Sequence, residues 1–370
     1  MGIKHLFKLS LPHPQGHAQH HRQPRPAGAA AAPDPASDPG RYLCAMAEPP
    51  VLPTAAPGDR IQSPLVILDV HARGTGDTAH TILTFGNASG RLESAPFWPG
   101  EQHLVAAVRK GQVAQVIGEV QLYRDRRQLK VTSLRVLPRQ SVDVRQLLPA
   151  IPDPAPYWEV LDRWRAEIRG PRLRAVLALL FDDPEFRDRF AQSPASLAGH
   201  HALLGGLLKH TAEVAAIARA VSRASGADGD LVLAGVLLHD IGKLEAYRWD
   251  THFEMTEAGA LMGHVVLGAQ MLDRAVLDAA TPPCTDEELL LLQHLILSHH
   301  GRHEYGAPVL PMTLEAEVLH YADNASAKSA SMAEAIGNPE NFTEDEQVSN
   351  RRIWSLENRK IYRGRSDWGG

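Results

Sequence analysis

A histidine and an aspartate stand side by side in residues 237–243 (LLHDIGK), at the end of an apolar run. Residues of the same two types recur upstream at His210 and downstream at the His299-His300 pair and Asp323. Imidazole and carboxylate groups together suit divalent metals of borderline to hard character, which bind and activate water. The chain is therefore predicted to be a metal-dependent phosphohydrolase.

Most of these polar residues lie on apolar stripes with helical spacing. The stripes are Leu207, His210, Val214, Ile217 and Val221; Ala260, His264, Leu267 and Met271; and Leu292, Leu295, Ile296 and His299. Asp323 follows Leu319 by four residues on a helix expected to begin near Thr313, and the His239-Asp240 pair ends a fifth helix. A single such histidine is more often a hydrogen-bonded core residue. Burying all of them without mutual satisfaction would be costly, so a bound metal explains their shared direction better.

Composition and periodicity divide the chain into a β-rich and an α-helical part. We expect a disordered tail at 1–57, a β-domain at 58–139, a proline-rich linker at 140–156, an α-helical metal domain at 157–336 and a C-terminal extension at 337–370. The tail is rich in Ala, Pro, His and Gly and has no hydrophobic period, and Met46 is an alternative start of translation. The extension is expected to pack on another domain or on a partner subunit.

Short strand-like segments fill the β-domain, at 65–70, 78–85, 91–94, 114–120 and 129–136. Their alternation and glycine-rich turns predict a small antiparallel barrel, with the OB-fold as the leading candidate. The predicted fold class is thus multidomain α and β, with an OB-fold-like barrel ahead of an all-α domain.

Barrels of this kind bind single strands with aromatic platforms and a basic groove. Tyr123, Arg124, Arg126 and Lys130 lie together in sequence and are the candidate substrate contacts on the barrel. Trp98, Phe85 and Phe97 could also stack on bases. Phe85 and Phe97 fit the barrel core equally well.

The charge balance differs between the two parts. Residues 59–139 carry 11 Lys/Arg against 7 Asp/Glu, a balance of +4, whereas residues 140–370 carry 22 against 33, a balance of −11. A basic module joined to an acidic one indicates that the first contacts a polyanion and the second holds cations. Two widely separated cysteines argue against a disulfide framework and fit the cytoplasm. No apolar run is long enough to cross a bilayer.

The spacing His210…His239-Asp240…Asp323 resembles that of the HD-domain superfamily of metal-dependent phosphohydrolases. Blocks at 200–211, 299–306, 311–316 and 319–328, together with the barrel, make the chain similar to the YhaM-like 3′-5′ exoribonucleases over roughly residues 59–363. Two positions depart from the pattern of that family and bear on substrate preference and rate. Lys209 replaces an acidic residue, and residues 324–326 replace a stretch that holds a second aspartate.

The resemblance implies two divalent ions. His210, His239, Asp240 and Asp323 would hold the first ion, Asp240 would bridge to the second, and His264 and His299 would complete the second site. We expect Mn²⁺, with Mg²⁺, Fe²⁺ and Co²⁺ as alternatives.

The remaining polar residues of the site are assigned to catalysis and substrate contact. Asp240 and Lys243 are the catalytic candidates. Lys243 lies one turn after His239, where it would neutralise charge on the phosphoryl oxygens. A lysine exposed at a helix end is the alternative. His300 would substitute for His299 or contact phosphate, and His201 would contact substrate or act as a general acid.

Three functions remain open at this point. The first is 3′-5′ hydrolysis of single-stranded RNA, or of single-stranded DNA, to nucleoside monophosphates. The second is a phosphodiesterase of small or cyclic nucleotides that uses the barrel for regulation. The third is a non-catalytic nucleic-acid-binding protein with a structural metal, although such a site would not need so many ligands. Homo-oligomerisation is compatible with the acidic surface and the C-terminal segment.

Overall fold

The computed structural model describes residues 49–124, 126–197, 199–343 and 345–364. Its β-rich part is an antiparallel sheet of five strands. The strands are β1 (Arg60–Arg73), β2 (His80–Asn87), β3 (Gly90–Glu93), β4 (Val113–Tyr123) and β5 (Arg126–Val136). Their order is β3-β2-β1-β4-β5, and a single parallel bridge between Ser94 and Leu129 links the two ends. The sheet is barrel-like but not closed, and all five predicted strands are present.

The barrel core follows from the alternation of the strand residues, because successive side chains point to opposite faces. Leu65 and Ile67 on β1 and Leu83 and Phe85 on β2 are fully buried. Leu52 is also fully buried in this core, so residues 49–57 pack with the barrel although the sequence assigned them to the tail. The rest of that predicted tail, 1–48, lies outside the described residues.

The second part is α-helical, as predicted. The helices are α1 (Ala155–Glu167), α2 (Pro171–Phe181), α3 (Pro184–Gln192), α4 (Gly206–Ser225), α5 (Gly229–Leu238), α6 (Lys243–Ala246), α7 (Glu257–Leu277), α8 (Asp286–Ser298) and α9 (Leu314–Gly337). Strands β6 (Tyr247–Trp249) and β7 (Phe253–Met255) form a hairpin between α6 and α7. No helix among the described residues has the length and apolar character needed to cross a membrane.

Polar side chains set where several of these helices begin. Asp228, Thr256, Thr285 and Thr313 each accept hydrogen bonds from backbone N–H groups in the first turn of α5, α7, α8 and α9. Thr313 is the residue at which the sequence placed the start of the last helix. Gly226 follows the last residue of α4 and terminates the helix with a left-handed φ of 78°, a backbone conformation that favours glycine.

The segment 140–156 is packed against both parts of the fold. Val144 and Leu147 are buried against Val66 and Val113 of the barrel. Further along, the Ile151 N–H donates to the Leu204 carbonyl at 2.9 Å on the helical side. The predicted linker is therefore fixed at both ends by contacts that proline content alone did not reveal.

The C-terminal extension packs back on α9 in the same chain. Leu356 and Ile361 are buried against Phe342 and Ala335. Arg127 on β5 also pairs with Glu340 of the extension, with 3.1 Å between the nitrogen and the carboxylate oxygen. The extension thus contacts both the helices and the barrel.

Candidate metal centre

A cavity of about 330 Å³ opens in the helical part. Seven of the residues that the sequence singled out reach it. His210, Asp240, Lys243, His264, His299, His300 and Asp323 line the cavity. His239 is fully buried beside them. Helices from across the whole domain therefore bring their imidazole and carboxylate groups to one place.

The first group of potential ligands is His210, His239 and Asp323, whose ligand atoms all lie within 4.8 Å of one another. His210 Nε2 lies 3.0 Å from Asp323 Oδ1 and 3.4 Å from His239 Nε2. His239 Nδ1 lies 2.7 Å from the Val236 carbonyl, which can only accept, so Nδ1 carries the proton. The lone pair of Nε2 is then directed into the group, as metal ligation requires.

The second group consists of His264, His299 and His300. His299 Nδ1 donates to the Ile296 carbonyl at 2.6 Å, which directs its Nε2 lone pair in the same manner. His264 Nε2 and His300 Nδ1 are buried without a hydrogen-bond partner. Burial, reinforced by Lys243, lowers the pKa of His264 to about 3, so this imidazole is neutral at physiological pH and able to bind a metal.

Asp240 lies between the two groups with one carboxylate oxygen toward each. Oδ2 is 3.2 Å from His239 Nε2 and 3.6 Å from His210 Nε2. Oδ1 is 3.4 Å from His264 Nε2, and it is buried without a hydrogen bond. A buried carboxylate would ordinarily be protonated, but Lys243 and His239 hold the pKa of Asp240 well below its usual range. The carboxylate is therefore charged and shared between the groups.

Lys243 is buried and lies against this carboxylate. Its Nζ donates to Asp240 Oδ2 at 2.5 Å, and the side chain also lines the cavity. Burial would lower the pKa of Lys243, but Asp240 raises it above its usual value, so the ammonium stays charged. The alternative of an exposed lysine at a helix end does not describe this side chain.

The donor set fits divalent cations. Three buried polar atoms of this centre have no hydrogen bond, one each on Asp240, His264 and His300. Such atoms are costly unless an ion or another polar group satisfies them. The bridging position of Asp240 between two three-residue groups matches a centre for two ions.

An outer layer of hydrogen bonds supports His210. His210 Nδ1 lies 3.2 Å from Ser326 Oγ, and Ser326 Oγ donates to Glu213 Oε2 at 3.1 Å. Because the serine proton is committed to the carboxylate, Nδ1 must donate to the serine, and the Nε2 lone pair is left for a metal. Burial would raise the pKa of Glu213, but hydrogen bonds from His201 and Lys209 lower it to about 2.

Two residues to which the sequence analysis gave other roles belong to this outer layer of hydrogen bonds. His201 was expected to contact substrate, but it does not line the cavity and lies 2.8 Å from Glu213. Lys209, which departs from the family pattern, pairs with Glu213 at 2.6 Å. Glu213 was not singled out, and Ser326 was noted only as part of the departure at 324–326. Each follows a predicted ligand by three residues, which places it on the same helix face.

His200 lines the cavity in place of His201. The backbone of His201 has a left-handed φ of 54°, and its ring lies against Glu213 rather than in the cavity lining. Burial, followed by the neighbouring His210, lowers the pKa of His200 to about 4. His320 also lines the cavity and was missed; its Nδ1 lies 2.9 Å from the His299 carbonyl.

Two glycines allow the backbone to bring the ligands together. Gly263 has a φ of 72° and interrupts α7 one residue before His264, so His264 begins a helical segment of its own direction. At Gly242, a Cβ would lie 1.9 Å from the His264 carbonyl oxygen and 2.3 Å from the Gly268 nitrogen. The segment that carries Asp240 can thus approach α7 only because residue 242 lacks a side chain.

We expect Glu213→Gln to weaken metal binding about 10- to 100-fold, the usual effect of removing an outer-sphere partner. The neutral amide holds the Ser326 hydroxyl less firmly, so the orientation of His210 is lost in part. Competition titration of Mn²⁺ against a chelator measures the change directly. Glu317→Gln, at an exposed position of α9, is the matched control. Equal affinities of the two variants would contradict the role of Glu213.

The predicted barrel contacts lie on or near the surface. Tyr123 is exposed at the end of β4, and the guanidinium of Arg124 lies 5.2 Å from the centre of its ring. Arg126 is exposed opposite Tyr123 on β5, whereas Lys130 pairs with Glu101 at 2.7 Å. Phe85 and Phe97 are core residues, and Trp98 is half-exposed. The structure therefore provides an aromatic and basic patch at the β4–β5 turn.

Known proteins are similar in sequence to the helical domain and to most of the chain. The HD domain family profile matches residues 207–328. The 3′-5′ exoribonuclease YhaM of Bacillus subtilis (strain 168) is 32% identical over 313 residues, which cover 83% of this chain and 95% of that protein. The same-named protein of Bacillus pumilus is 30% identical over equal shares, and that of Bacillus velezensis is 32% identical over 76% of this chain and 87% of its own length.

Proposed function

Since the chain belongs to the family of the YhaM 3′-5′ exoribonucleases, we propose that it hydrolyses single-stranded RNA from the 3′ end in a metal-dependent reaction. The products would be nucleoside monophosphates. The observation that carries the proposal is the position of Asp240, whose two oxygens face two separate groups of histidines in one cavity. Such a centre suits the in-line displacement at a phosphodiester.

This geometry supports the following ligand roles. We assign His210, His239, Asp240 and Asp323 to a first ion and Asp240, His264 and His299 to a second, with His300 as a further ligand or phosphate contact. The many imidazoles disfavour Mg²⁺, which prefers oxygen ligands, and suit Fe²⁺ or Co²⁺. The two carboxylates supply oxygen ligands that suit Mn²⁺, which is our leading candidate. When bound, the ions lower the pKa of the attacking water and neutralise the phosphoryl oxygens.

The protein side chains perform the remaining tasks of the reaction. The carbonyls of Val236 and Ile296 hold His239 and His299 in one tautomer and one orientation. Asp240 keeps its negative charge inside the cavity through Lys243. Lys243 in turn provides a fixed positive charge at the cavity wall, where a phosphodiester would gain a second partner for its oxygens.

The barrel would hold the strand before it enters the cavity. The strand order and the β3–β5 bridge support an OB-type domain at 58–139, joined by 140–156 to an HD domain at 157–336 and an extension at 337–370. Exposed Tyr123, with Arg124 and Arg126, supplies a stacking surface and positive charge. Lys130 would contribute once its pairing with Glu101 is exchanged for a phosphate. An RNA substrate and the free thiol of Cys284 fit a protein of the cytoplasm.

Labelled RNA tests the proposal. With Mn²⁺, a 5′-labelled single strand should shorten into a ladder, whereas a 3′-labelled strand should release labelled mononucleotide from the first time point. Asp323→Asn should stop both reactions, because it removes a ligand that lies 3.0 Å from His210. Asp273→Asn, on α7 away from the cavity lining, is the matched control and should cut normally.

Other outcomes would favour the alternatives. Turnover of a cyclic or small nucleotide without cleavage of RNA would make the protein a nucleotide phosphodiesterase. Tight RNA binding without any turnover in the presence of Mn²⁺ would make it a binding protein with a structural metal. Equal cleavage of single-stranded DNA would widen the substrate class to both nucleic acids.

A further inference from the structure

Aromatic residues occur at the mouth of the cavity as well as on the barrel. Tyr305 lines the cavity, and 45% of its surface is exposed. It belongs to a short 3-10 helix, His303–Tyr305, which ends at Gly306 with a left-handed φ of 90°. The guanidinium of Arg302 lies 5.7 Å from the centre of the Tyr305 ring. One ring face is therefore supported by a cation, and the ring as a whole remains accessible from the cavity.

A second exposed aromatic residue, on the C-terminal extension, is the sequence neighbour of a residue that lines the same cavity. The 3-10 helix Trp354–Leu356 contributes Ser355 to the cavity lining. Leu356 is fully buried and anchors this helix, whereas Trp354, the residue before Ser355, is 88% exposed. Burying a tryptophan stabilises a fold considerably. A segment that served only to pack on α9 would be expected to use this side chain in the contact.

Both segments contribute to the lining of one cavity, through Tyr305 and Ser355. Glu357, directly after the Trp354–Leu356 helix, pairs with Lys328 at 3.1 Å, and Lys328 lines the cavity. Lys328, and to a smaller extent Arg359 and Arg302, lower the pKa of the Glu357 carboxyl. Arg302 is the residue that supports Tyr305. The extension and the loop after α8 therefore border the same opening.

We propose that Tyr305 and Trp354 are stacking platforms for the unpaired bases of the last nucleotides at the 3′ end of the RNA. The inference rests on the proposed function and adds the contacts that hold the strand end at the metal centre. Aromatic stacking tolerates any sequence because every base has a π face. Bases in a duplex have both faces covered by neighbours, so these platforms would also select single strands at the cavity itself.

The variants Tyr305→Ala and Trp354→Ala test the platforms. Each should raise KM for a single-stranded oligonucleotide about 5- to 150-fold, the range expected for one lost base stack. Each should leave the amount of bound Mn²⁺ unchanged, since neither residue belongs to the two groups of potential ligands. Tyr305→Phe and Trp354→Phe keep an aromatic ring, so their KM should stay close to the wild-type value. Tyr362→Ala removes an exposed aromatic from the same extension away from the cavity lining and serves as the control.

RNA with abasic 3′-terminal residues supplies an independent readout. The wild-type protein should bind abasic RNA more weakly than normal RNA, by the same factor by which the alanine substitutions weaken binding of normal RNA. In the alanine variants, the change from normal to abasic RNA should weaken binding only slightly. Unchanged KM in both alanine variants, or an equal loss in Tyr362→Ala, would overturn the inference. A loss of bound Mn²⁺ in the alanine variants would also overturn it, because the residues would then act on the metal centre.

Binding measurements separate this inference from the proposed function. The manganese-loaded protein is titrated with RNA whose terminal linkages are phosphorothioates that resist hydrolysis. If wild-type protein binds RNA but never cuts it, the proposed function fails, and weaker binding by the alanine variants still upholds the platforms. If binding is equal in all variants, the platforms fail alone. If wild-type protein neither binds nor cuts RNA, both are overturned.

Discussion

Asp240→Asn is expected to lower kcat by more than about 100-fold, beyond the usual effect of an outer-sphere partner. The change keeps the size of the side chain but removes its charge. It also turns an amide NH₂ toward one of the two groups of ligands, where that amide would repel a cation. Because the two carboxylate oxygens face different groups, a single substitution weakens both ion positions. Mass spectrometry of bound metal should show fewer than two ions per chain.

The same substitution leaves Lys243 buried without its partner. Removing one member of a buried ion pair typically costs about 3–5 kcal/mol, so thermal stability should fall as well. Adding Lys243→Met to Asp240→Asn should recover most of the stability and none of the activity. This double variant separates unfolding from loss of chemistry. An Asp240→Asn protein with near-normal kcat would refute the bridging role of the carboxylate.

Gly242→Ala is expected to have the second large effect, although the residue carries no functional group. Its new methyl group would meet two backbone atoms, the His264 carbonyl oxygen and the Gly268 nitrogen, which cannot rotate away as a side chain would. The start of the second segment of α7 must therefore move and take His264 with it. Overpacking of this kind costs about 1–3 kcal/mol or more. We expect a lower melting temperature and loss of metal from the group that contains His264.

Gly229→Ala is the matched control, since no atom lies within 4 Å of the position of its Cβ at the first residue of α5. It should leave the melting temperature unchanged or raise it slightly, because alanine has a higher helix propensity than glycine. A Gly242→Ala protein that behaves like Gly229→Ala, with normal metal content, would show that the close approach at residue 242 is dispensable.

The helices and the inward direction of their polar residues followed from the sequence, because both depend on local periodicity. His210 lies on the apolar stripe of α4, and Thr313 supplies a start signal for the helix of Asp323. The five strands were recognisable for the same reason, since their residues alternate between core and surface. Local pattern thus predicts which side chains face inward.

Features that depend on distant contacts could not be predicted in this way. Ser326 supports His210 from a position 116 residues later, and no local pattern links them. His200 and His201 are adjacent in sequence, yet their rings lie against distant and different partners, Ser331 and Glu213 respectively. The position of the C-terminal extension beside the cavity likewise follows from the burial of Leu356 against α9 rather than from any motif.

The packed segment 140–156 has a consequence for the length of the products. Its contacts with Val66 on one side and Leu204 on the other keep the barrel at a constant distance from the cavity. If the barrel binds RNA as proposed, a strand long enough to occupy both is held at two points, whereas a shorter one is held only at its 3′ end. On the proposed function, digestion should then slow at one characteristic oligonucleotide length rather than decline gradually.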